Sequence, residues 1–346
     1  MVREFLSCDW GTSSFRIQWV ADTKVTEPGG SQSGDKRFQV LRAYRDNTGS
    51  RSLFEKALEL GDNSQEGRAR IYADFLSGVL QQWKAARQNL QRSIPLVISG
   101  MASSSIGWQE VPYATAPLKL DGSNLQFAEV ALQELNWIKR VYLISGVATE
   151  NEMMRGEETE AIGLLQDVPC RSPFALILPG THSKHLLVHD GEVTDFWTYM
   201  TGEIFDVLAR YSVLKATVDL SSLATPNQTN LASFDAGVRQ ADRSGLAASL
   251  FQTRARAVLK GMPTLENTWF LSGLLIGAEL ADARSRFSGL TVLLGGASEM
   301  RSLYARALTI LENGSFTAQE LMGEFVESAV IRAHSLFLEQ RNTWKE

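Results

Sequence analysis

Near the start of the chain, apolar and polar positions alternate in period two: Phe15, Ile17 and Trp19 are separated by Arg16 and Gln18. Before them, Phe5-Leu6-Ser7-Cys8-Asp9 leads into Gly11-Thr12, so the opening predicts a strand, a tight turn and a second strand. A polar, Gly-rich stretch from about residue 27 to residue 34 predicts an exposed loop. Between Leu53 and Leu90 the period changes. Ile71, Phe75, Val79, Leu80 and Trp83 recur at three- and four-residue steps, which predicts helix. Short apolar runs from Ile94 to Ser99, ending in Gly100, and from Val141 to Ser145, ending in Gly146, predict two more strands. Strands that alternate with helices and end in small residues predict an α/β sheet whose ligand loops sit at the strand ends.

The second half opens in a similar way. Phe174 to Leu178 is a uniformly apolar strand, Pro179-Gly180-Thr181 turns the chain, and His182 to Val188 returns. Asp190-Gly191 predicts a two-residue hairpin turn into a strand from Val193 to Met200. Then come a predicted helix from about Glu203 to Leu214, a surface loop rich in Ser, Thr and Pro from Ala216 to Asn230, and mainly helix. An apolar strand, Thr291 to Leu294, interrupts the helices and runs into Gly295-Gly296. Gly11-Thr12-x-Ser14 and Gly180-Thr181-x-Ser183 sit in the turns of the two hairpins, about half the chain apart. Such a repeat predicts two related domains facing across a cleft, divided as residues 1–150 and 151–346.

With 346 residues, 44% hydrophobic and 21% charged, the chain has ample material for a core. Lys and Arg number 34 against 39 Asp and Glu, a net charge of −5 with no basic block, which argues against nucleic-acid or anionic-membrane partners. Cys8 and Cys170 make neither a disulfide framework nor a zinc spacing. The first residues carry charge where a signal peptide needs its apolar core, and no apolar run nears the roughly 18 residues of a membrane span, so the expected location is the cytoplasm.

The common phosphate-loop, dinucleotide, nucleophile-elbow and HExxH signatures are missing. His182 and His185, three apart on a predicted strand, face opposite sides and make a poor metal pair. In Asp9-Trp10-Gly11-Thr12-Ser13-Ser14, small residues would bring N–H groups and hydroxyls to a phosphate, and Asp9 could hold a hydrated Mg²⁺; a plain tight turn with a solvated Asp is the alternative. Gly180-Thr181-His182-Ser183-Lys184 adds a second hydroxyl-rich turn and a cation. The paired Gly295-Gly296, followed by Ser298 at a helix start, suits close approach of a bulky anionic ligand, as it suits many α/β turns. Glu157, Glu158 and Glu160 fall in the first turn of a predicted helix, where acidic residues also serve simply to complement the dipole. The loop from Ser99 to Trp108 offers hydroxyls to a polar ligand and Trp108 as an apolar wall, or is a flexible Ser-rich loop.

Taken together, these elements resemble the actin-like ATPase superfamily of sugar kinases, acetate kinases and Hsp70 ATPase domains. Asp9 to Arg16 is similar to its first phosphate loop, Gly180 to Lys184 to its second, and Leu294 to Ser298 to its adenosine loop, in that order over nearly the whole chain. The strings LSCDWGTSSFRI, ISGMASSSIGWQEVPY, RGEETEAIGLL, LPGTHSKHLLV, TYMTGEIFDVL and LLGGASEM further resemble the 2-dehydro-3-deoxygalactonokinase family. The resemblance implies two related actin-like ATPase (ribonuclease H-like) α/β domains facing across a substrate cleft. It also implies ATP-dependent phosphorylation of 2-dehydro-3-deoxy-D-galactonate at its terminal (6-) hydroxyl, in D-galactonate breakdown.

Carried over residue by residue, it assigns Gly11, Thr12, Ser13, Ser14, Gly180, Thr181, His182, Ser183, Lys184, Gly295, Gly296 and Ser298 to the nucleotide. Arg16, Met101, Ser103, Ser104, Trp108 and Arg155 fall to the sugar acid, and Asp9 to Mg²⁺. Two departures stand out. Leu178 occupies a position where the second loop commonly has an Asp, and the usual Gly-Asp base is replaced by Gly156 followed by Glu157 and Glu158. Position gives Glu157 the role of general base, with Glu158 or Asp9 as alternatives. The implied partners are ATP, Mg²⁺ and the sugar acid, with no nucleic acid and no membrane, and homo-oligomers are allowed. Competing readings are a kinase for another sugar or sugar acid, and a nucleotide-dependent actin- or chaperone-like switch.

Overall fold

The computed structural model describes residues 3–23, 37–83, 93–132, 135, 137–170, 172–220, 227–311, 317–321, 323–341 and 343; the loop expected over residues 27–34 lies outside them. The chain separates into two compact units, one of Met1–Pro169, Gly191–Thr194 and Glu324–Glu346, the other of Cys170–Asp190 and Asp195–Gly323.

In the first unit, β1 (Arg3–Trp10) and β2 (Phe15–Asp22) make the expected hairpin, and β3 (Phe38–Asp46) extends it antiparallel. The long helical stretch is two helices, α1 (Ser50–Glu59) and α2 (Gln65–Gln81). The chain breaks at Gly61, whose φ of 71° suits glycine, and Ser64 caps α2 by accepting the Gly67 N–H. Residues 84–90 of the expected helix lie outside the described residues. There follow β4 (Ile94–Gly100), β5 (Ala114–Thr115), β6 (Leu118–Lys119), β7 (Phe127–Val130), β8 (Ile138–Ile144), β9 (Val147–Ala148), β10 (Met153–Met154) and α3 (Glu157–Leu165). The main sheet runs β3-β2-β1-β4-β8-β7, with β1, β4 and β8 parallel. β5, β9 and β10 form a small separate sheet, and β6 pairs with Glu192 and Val193 of the same unit.

The second unit holds β11 (Phe174–Leu178), β12 (Ser183–His189), β13 (Glu192–Tyr199, whose first residues count with the first unit) and α4 (Thr201–Tyr211). After these come α5 (Gln228–Ser244), α6 (Leu246–Lys260), α7 (Thr264–Ala283), β14 (Thr291–Leu294), α8 (Ser298–Leu311) and β15 (Thr317–Glu320). Asp190 (φ 50°) and Gly191 (φ 78°) make the two-residue turn that their sequence demands. α4 stops at Tyr211, short of the expected Leu214, because Ser212 turns extended and its side chain caps a 3-10 turn over Val213–Thr217. The loop expected from Ala216 to Asn230 is correspondingly shorter at both ends, since α5 already begins at Gln228; residues 221–226 lie outside the described residues.

The strand order β15-β14-β11-β12-β13 repeats β8-β4-β1-β2-β3, with the same antiparallel hairpin and the same parallel partners. Each unit thus has the α/β strand plan of an actin-like ATPase domain, as the resemblance implies.

Leu6, Cys8 and Trp10 of β1 join Phe15, Ile17 and Trp19 of β2 in a core with Leu53, Tyr72 and Leu76 of the two helices. Full burial of each Leu, Ile or Phe contributes about 1.5–3 kcal/mol. Period two sends Ser7 and Asp9 to the other face of the sheet. The last helix, α9 (Gly323–Gln340), covers part of that face: His334 Nδ1 lies 2.8 Å from Ser7 Oγ, and Ser335 donates to Asp22 at 3.0 Å. Arg332 donates to the Gly163 carbonyl at 2.9 Å. A Cβ on Gly163 would overlap the Ala329 backbone, so the glycine is what lets α3 and α9 meet this closely.

Candidate active site

Asp9 ends β1, directly opposite Arg16 on β2, and Arg16 is in turn opposite Arg45 on β3; Ser99 faces Asp9 from β4. Four strands therefore place Arg45, Arg16, Asp9 and Ser99 in one row. Arg16 donates to Asp9 Oδ2 at 3.1 Å, and both side chains are about one-third exposed. Desolvation by the surrounding protein raises the Asp9 carboxyl above its ordinary value; the Arg16 charge and hydrogen bond pull it back, and Glu157 adds a small upward push. Arg45 is exposed and, among the described residues, makes no hydrogen bond or ion pair. Residue types alone did not single it out, because only strand register sets it beside Arg16.

The first turn is held from behind. Gly11 N–H closes onto the Ser14 carbonyl at 2.9 Å, while the first N–H groups of α1, from Ser50 and Arg51, donate to the Gly11 and Thr12 carbonyls at 3.0 and 3.1 Å. Gly49 permits this approach, since a Cβ there would overlap the backbone of Thr12 and Ser13. The hydroxyls of Thr12, Ser13 and Ser14 make no hydrogen bond among the described residues.

At the start of α3, Gly156 has φ 115°, a region closed to side-chain-bearing residues at low cost. This puts Gly156 next to Gly100, the last residue of β4, at an ordinary contact of 3.7 Å for an added Cβ. Glu157 is half-buried and accepts the Arg155 N–H at 3.1 Å. Glu158 is 0% exposed; it accepts the Gly156 N–H at 2.7 Å and the Thr159 hydroxyl at 3.0 Å. Burial, and then the charge of Glu157, push the Glu158 carboxyl up to about 7.

Part of the expected sugar-acid set plays a different part here. Arg155 donates to the Ser103 carbonyl at 2.7 Å, to Ser103 Oγ at 2.6 Å and to the Val111 carbonyl at 3.2 Å, and lies 4.2 Å from the Tyr113 ring centre. Ser103 Oγ is buried and donates to the Ile144 carbonyl at 2.6 Å. The guanidinium and hydroxyl expected to face a ligand are thus spent on each other, bracing the Met101–Trp108 loop. Ser104 donates back to the Met101 carbonyl at 2.7 Å. Trp108 is 2% exposed, packed 6.1 Å from Tyr72, so it belongs to the core and offers no open wall. Met101 is half-buried at the head of the loop.

The second unit repeats the first turn's construction. Glu203 N–H, in the first turn of α4, donates to the Thr181 carbonyl at 3.1 Å, and a Cβ on Gly202 would come within 2.7 Å of the Gly180 and Thr181 backbone. Gly180 and Thr181 are exposed, and the Thr181 hydroxyl is unbonded among the described residues. His182 Nε2 lies 2.5 Å from Glu203 Oε2. Ser183 is buried, and Lys184, also buried, donates to the His182 carbonyl at 3.2 Å. His185 points inward to Glu279 at 2.6 Å, on the opposite side of β12 from Lys184, as alternation requires. Gly296 (φ 77°) packs against Pro179, 3.2 Å from an added Cβ, which brings the double-glycine loop beside the turn. Ser298 opens α8 and donates to Glu299 at 2.9 Å. An open pocket of about 430 Å³ lies between α4, α5 and α7, with Thr201 and Glu279 in its wall.

Comparison with known proteins gives a consistent result. A family model described as 2-keto-3-deoxy-galactonokinase matches residues 9–323. The chain is 30% identical over 290 residues to the 2-dehydro-3-deoxygalactonokinase of Escherichia coli (strain K12), covering 82% of each chain. It is also 30% identical over 310 residues, covering 88% of each, to a Rhizobium meliloti (strain 1021) protein named "Probable 2-dehydro-3-deoxygalactonokinase DgoK1". A crystal structure of a protein assigned as a 2-dehydro-3-deoxygalactonokinase from Sinorhizobium meliloti superposes with a TM-score of 0.71 at 26% identity, covering 96% of this chain and 99% of that one.

Proposed function

The chain belongs to the 2-keto-3-deoxy-galactonokinase family, and from that membership we propose that it transfers the γ-phosphoryl group of ATP to the terminal (6-) hydroxyl of 2-dehydro-3-deoxy-D-galactonate. The observation that carries the reading is the pair of equivalent hydroxyl-bearing turns, Gly11–Ser14 and Gly180–Ser183, each braced against a helix start through a glycine. Backbone N–H groups and hydroxyls at such turns suit the oxygens of phosphate.

In the second unit, the Gly180–Lys184 turn and Gly295-Gly296-Ala297-Ser298 take the phosphates and adenosine of ATP. In the first, Thr12, Ser13 and Ser14 donate to the phosphoryl group in transfer, and Arg16 and Arg45 take the sugar-acid carboxylate. Met101 and Ser104 lie with the acceptor, and Arg155 and Ser103 keep their loop in place. Asp9 would be the carboxylate that holds Mg²⁺ beside the nucleotide phosphates, since a carboxylate with phosphates and water suits that ion. When bound, the ion would supply positive charge to the oxygens of the phosphoryl group in transfer. Glu157 accepts the hydroxyl proton as the new P–O bond forms and the bond from γ-phosphorus to the bridging oxygen of ADP breaks. Glu158, with its oxygens already engaged by Gly156 and Thr159, sets the entry into α3. The place of work is the cytoplasm, where ATP is supplied.

The test is ADP release measured over a panel of sugars and 2-keto-3-deoxy sugar acids, with and without Mg²⁺. We expect release only with Mg²⁺, and fastest with 2-dehydro-3-deoxy-D-galactonate. Equal release with and without every acid would overturn the reading. A faster reaction with another acid would move the substrate within the same reaction class.

A further inference from the structure

Glu279 lies on α7 and belongs to none of the motifs that point to phosphate chemistry, yet the second turn leads to it. It is 3% exposed, and no Lys or Arg pairs with it among the described residues. Oε2 accepts from Tyr304 Oη at 2.8 Å and from Thr201 Oγ1; Oε1 faces His185 Nε2 at 2.6 Å. Tyr304 Oη in turn lies 2.9 Å from Ser183 Oγ, and Ser183 Oγ receives the Gly180 N–H at 3.3 Å.

A carboxylate only accepts, and each hydroxyl has one proton to give. Tyr304 gives its proton to Glu279, so its oxygen must accept from Ser183. Ser183 Oγ also lies 3.5 Å from the Gly180 carbonyl, but the nearer Tyr304 oxygen takes its proton, and Ser183 accepts from the Gly180 N–H. The chain Gly180 N–H, Ser183, Tyr304, Glu279 therefore runs in one direction, set by the carboxylate at its end. The Thr201 branch reaches the same turn by a second route, because Thr201 opens α4, whose Gly202 and Glu203 backbone closes on Thr181.

We infer that Glu279 is a positioning residue for phosphoryl transfer: through Tyr304 and Ser183, and through Thr201, it orients the donors of the Gly180–Lys184 turn toward ATP. The inference rests on the phosphate reading of that turn. It commits the hub to nucleotide handling and not merely to holding α4, α7, α8 and β12 together.

Tyr304→Phe keeps shape and removes the link; Glu279→Gln keeps shape but removes the charge and leaves one acceptor oxygen in place of two; Thr181→Ala probes the turn itself. We expect the KM for ATP and the dissociation constant for β,γ-imido-ATP to rise about tenfold in Tyr304→Phe, the effect of one lost hydrogen bond, with the KM for the sugar acid unchanged. Adding Tyr304→Phe to Glu279→Gln should weaken ATP much less than the two single effects combined, as groups in one network do. If Thr181→Ala weakens ATP while Tyr304→Phe lowers only the melting temperature, the relay is overturned and the phosphate reading stands. If Thr181→Ala also leaves ATP affinity untouched, the phosphate reading of the turn fails and takes the relay with it. Should Glu279→Gln not fold, the Tyr304→Phe comparison still decides.

Discussion

Glu157 and Glu158 are adjacent in sequence, but the first turn of α3 gives them different surroundings. Glu158 is enclosed, with its carboxyl pushed up to about 7 by burial and by Glu157, while Glu157 retains access to solvent. Glu157 is therefore the carboxylate of the pair that a substrate hydroxyl can reach. Glu157→Gln preserves shape and removes the base, so turnover should fall roughly 10²–10⁴-fold with the nucleotide dissociation constant little changed. Steady-state turnover and nucleotide titration on the same variant check both halves. Near-wild-type turnover in Glu157→Gln with a dead Glu158→Gln would move the role by one residue. Activity in both would leave the two carboxylates as helix-dipole partners.

Two helices do for the two turns what no turn residue can do alone. α1 reaches the first turn through Gly49, and α4 reaches the second through Gly202; α1 gives two backbone N–H groups to the carbonyls of Gly11 and Thr12, and α4 gives the Glu203 N–H to that of Thr181. The fit leaves no room for a methyl group. Gly49→Ala and Gly202→Ala should each cost about 1–3 kcal/mol of stability by overpacking. Each should also weaken nucleotide binding, because the displaced atoms are turn backbone. Urea unfolding together with a titration of β,γ-imido-ATP would test this. A stability loss of that size with unchanged nucleotide affinity would separate the helix–turn contact from the ligand.

On the scale of the whole molecule, two buried groups hold protons unlike the unfolded chain. Burial, and then the Arg16 charge, push His334 down to about 3 from an ordinary 6.5, while Glu158 rises from 4.5 to about 7. His334 therefore adds stability above pH 6.5 that is lost as pH falls through about 3. Glu158 adds stability below pH 4.5 that is lost as pH rises through about 7. Between pH 4.5 and 6.5 the folded chain keeps a proton on Glu158 and the unfolded chain keeps one on His334, so the two slopes cancel. Glu158→Gln should unmask stability that rises with pH across that window, and His334→Gln stability that falls, each by up to ~1.4 kcal/mol per pH unit. Urea midpoints across the window check this; slopes of the same sign in both variants would refute it.

Sequence alone determined what depends on neighbours along the chain. Period-two alternation around Ile17, the apolar run Phe174–Leu178 and the positive-φ demand of Asp190-Gly191 are local properties, and β1, β2, β11 and β12 lie where they predict. The motif strings were also enough to indicate the family, since the turns that would meet phosphate are contiguous in sequence. Tertiary structure alone decided which side chains those turns lean on. The bond between Ser7 and His334 spans 327 residues, that between Ser183 and Tyr304 spans 121, and Arg155 reaches Ser103 across 52. It also spent the Ser103 hydroxyl on Arg155, buried Trp108, and set Arg45 beside Arg16. The reason is physical: a buried polar group must find a hydrogen-bond partner wherever packing brings one, and packing, unlike periodicity, is a property of the closed chain.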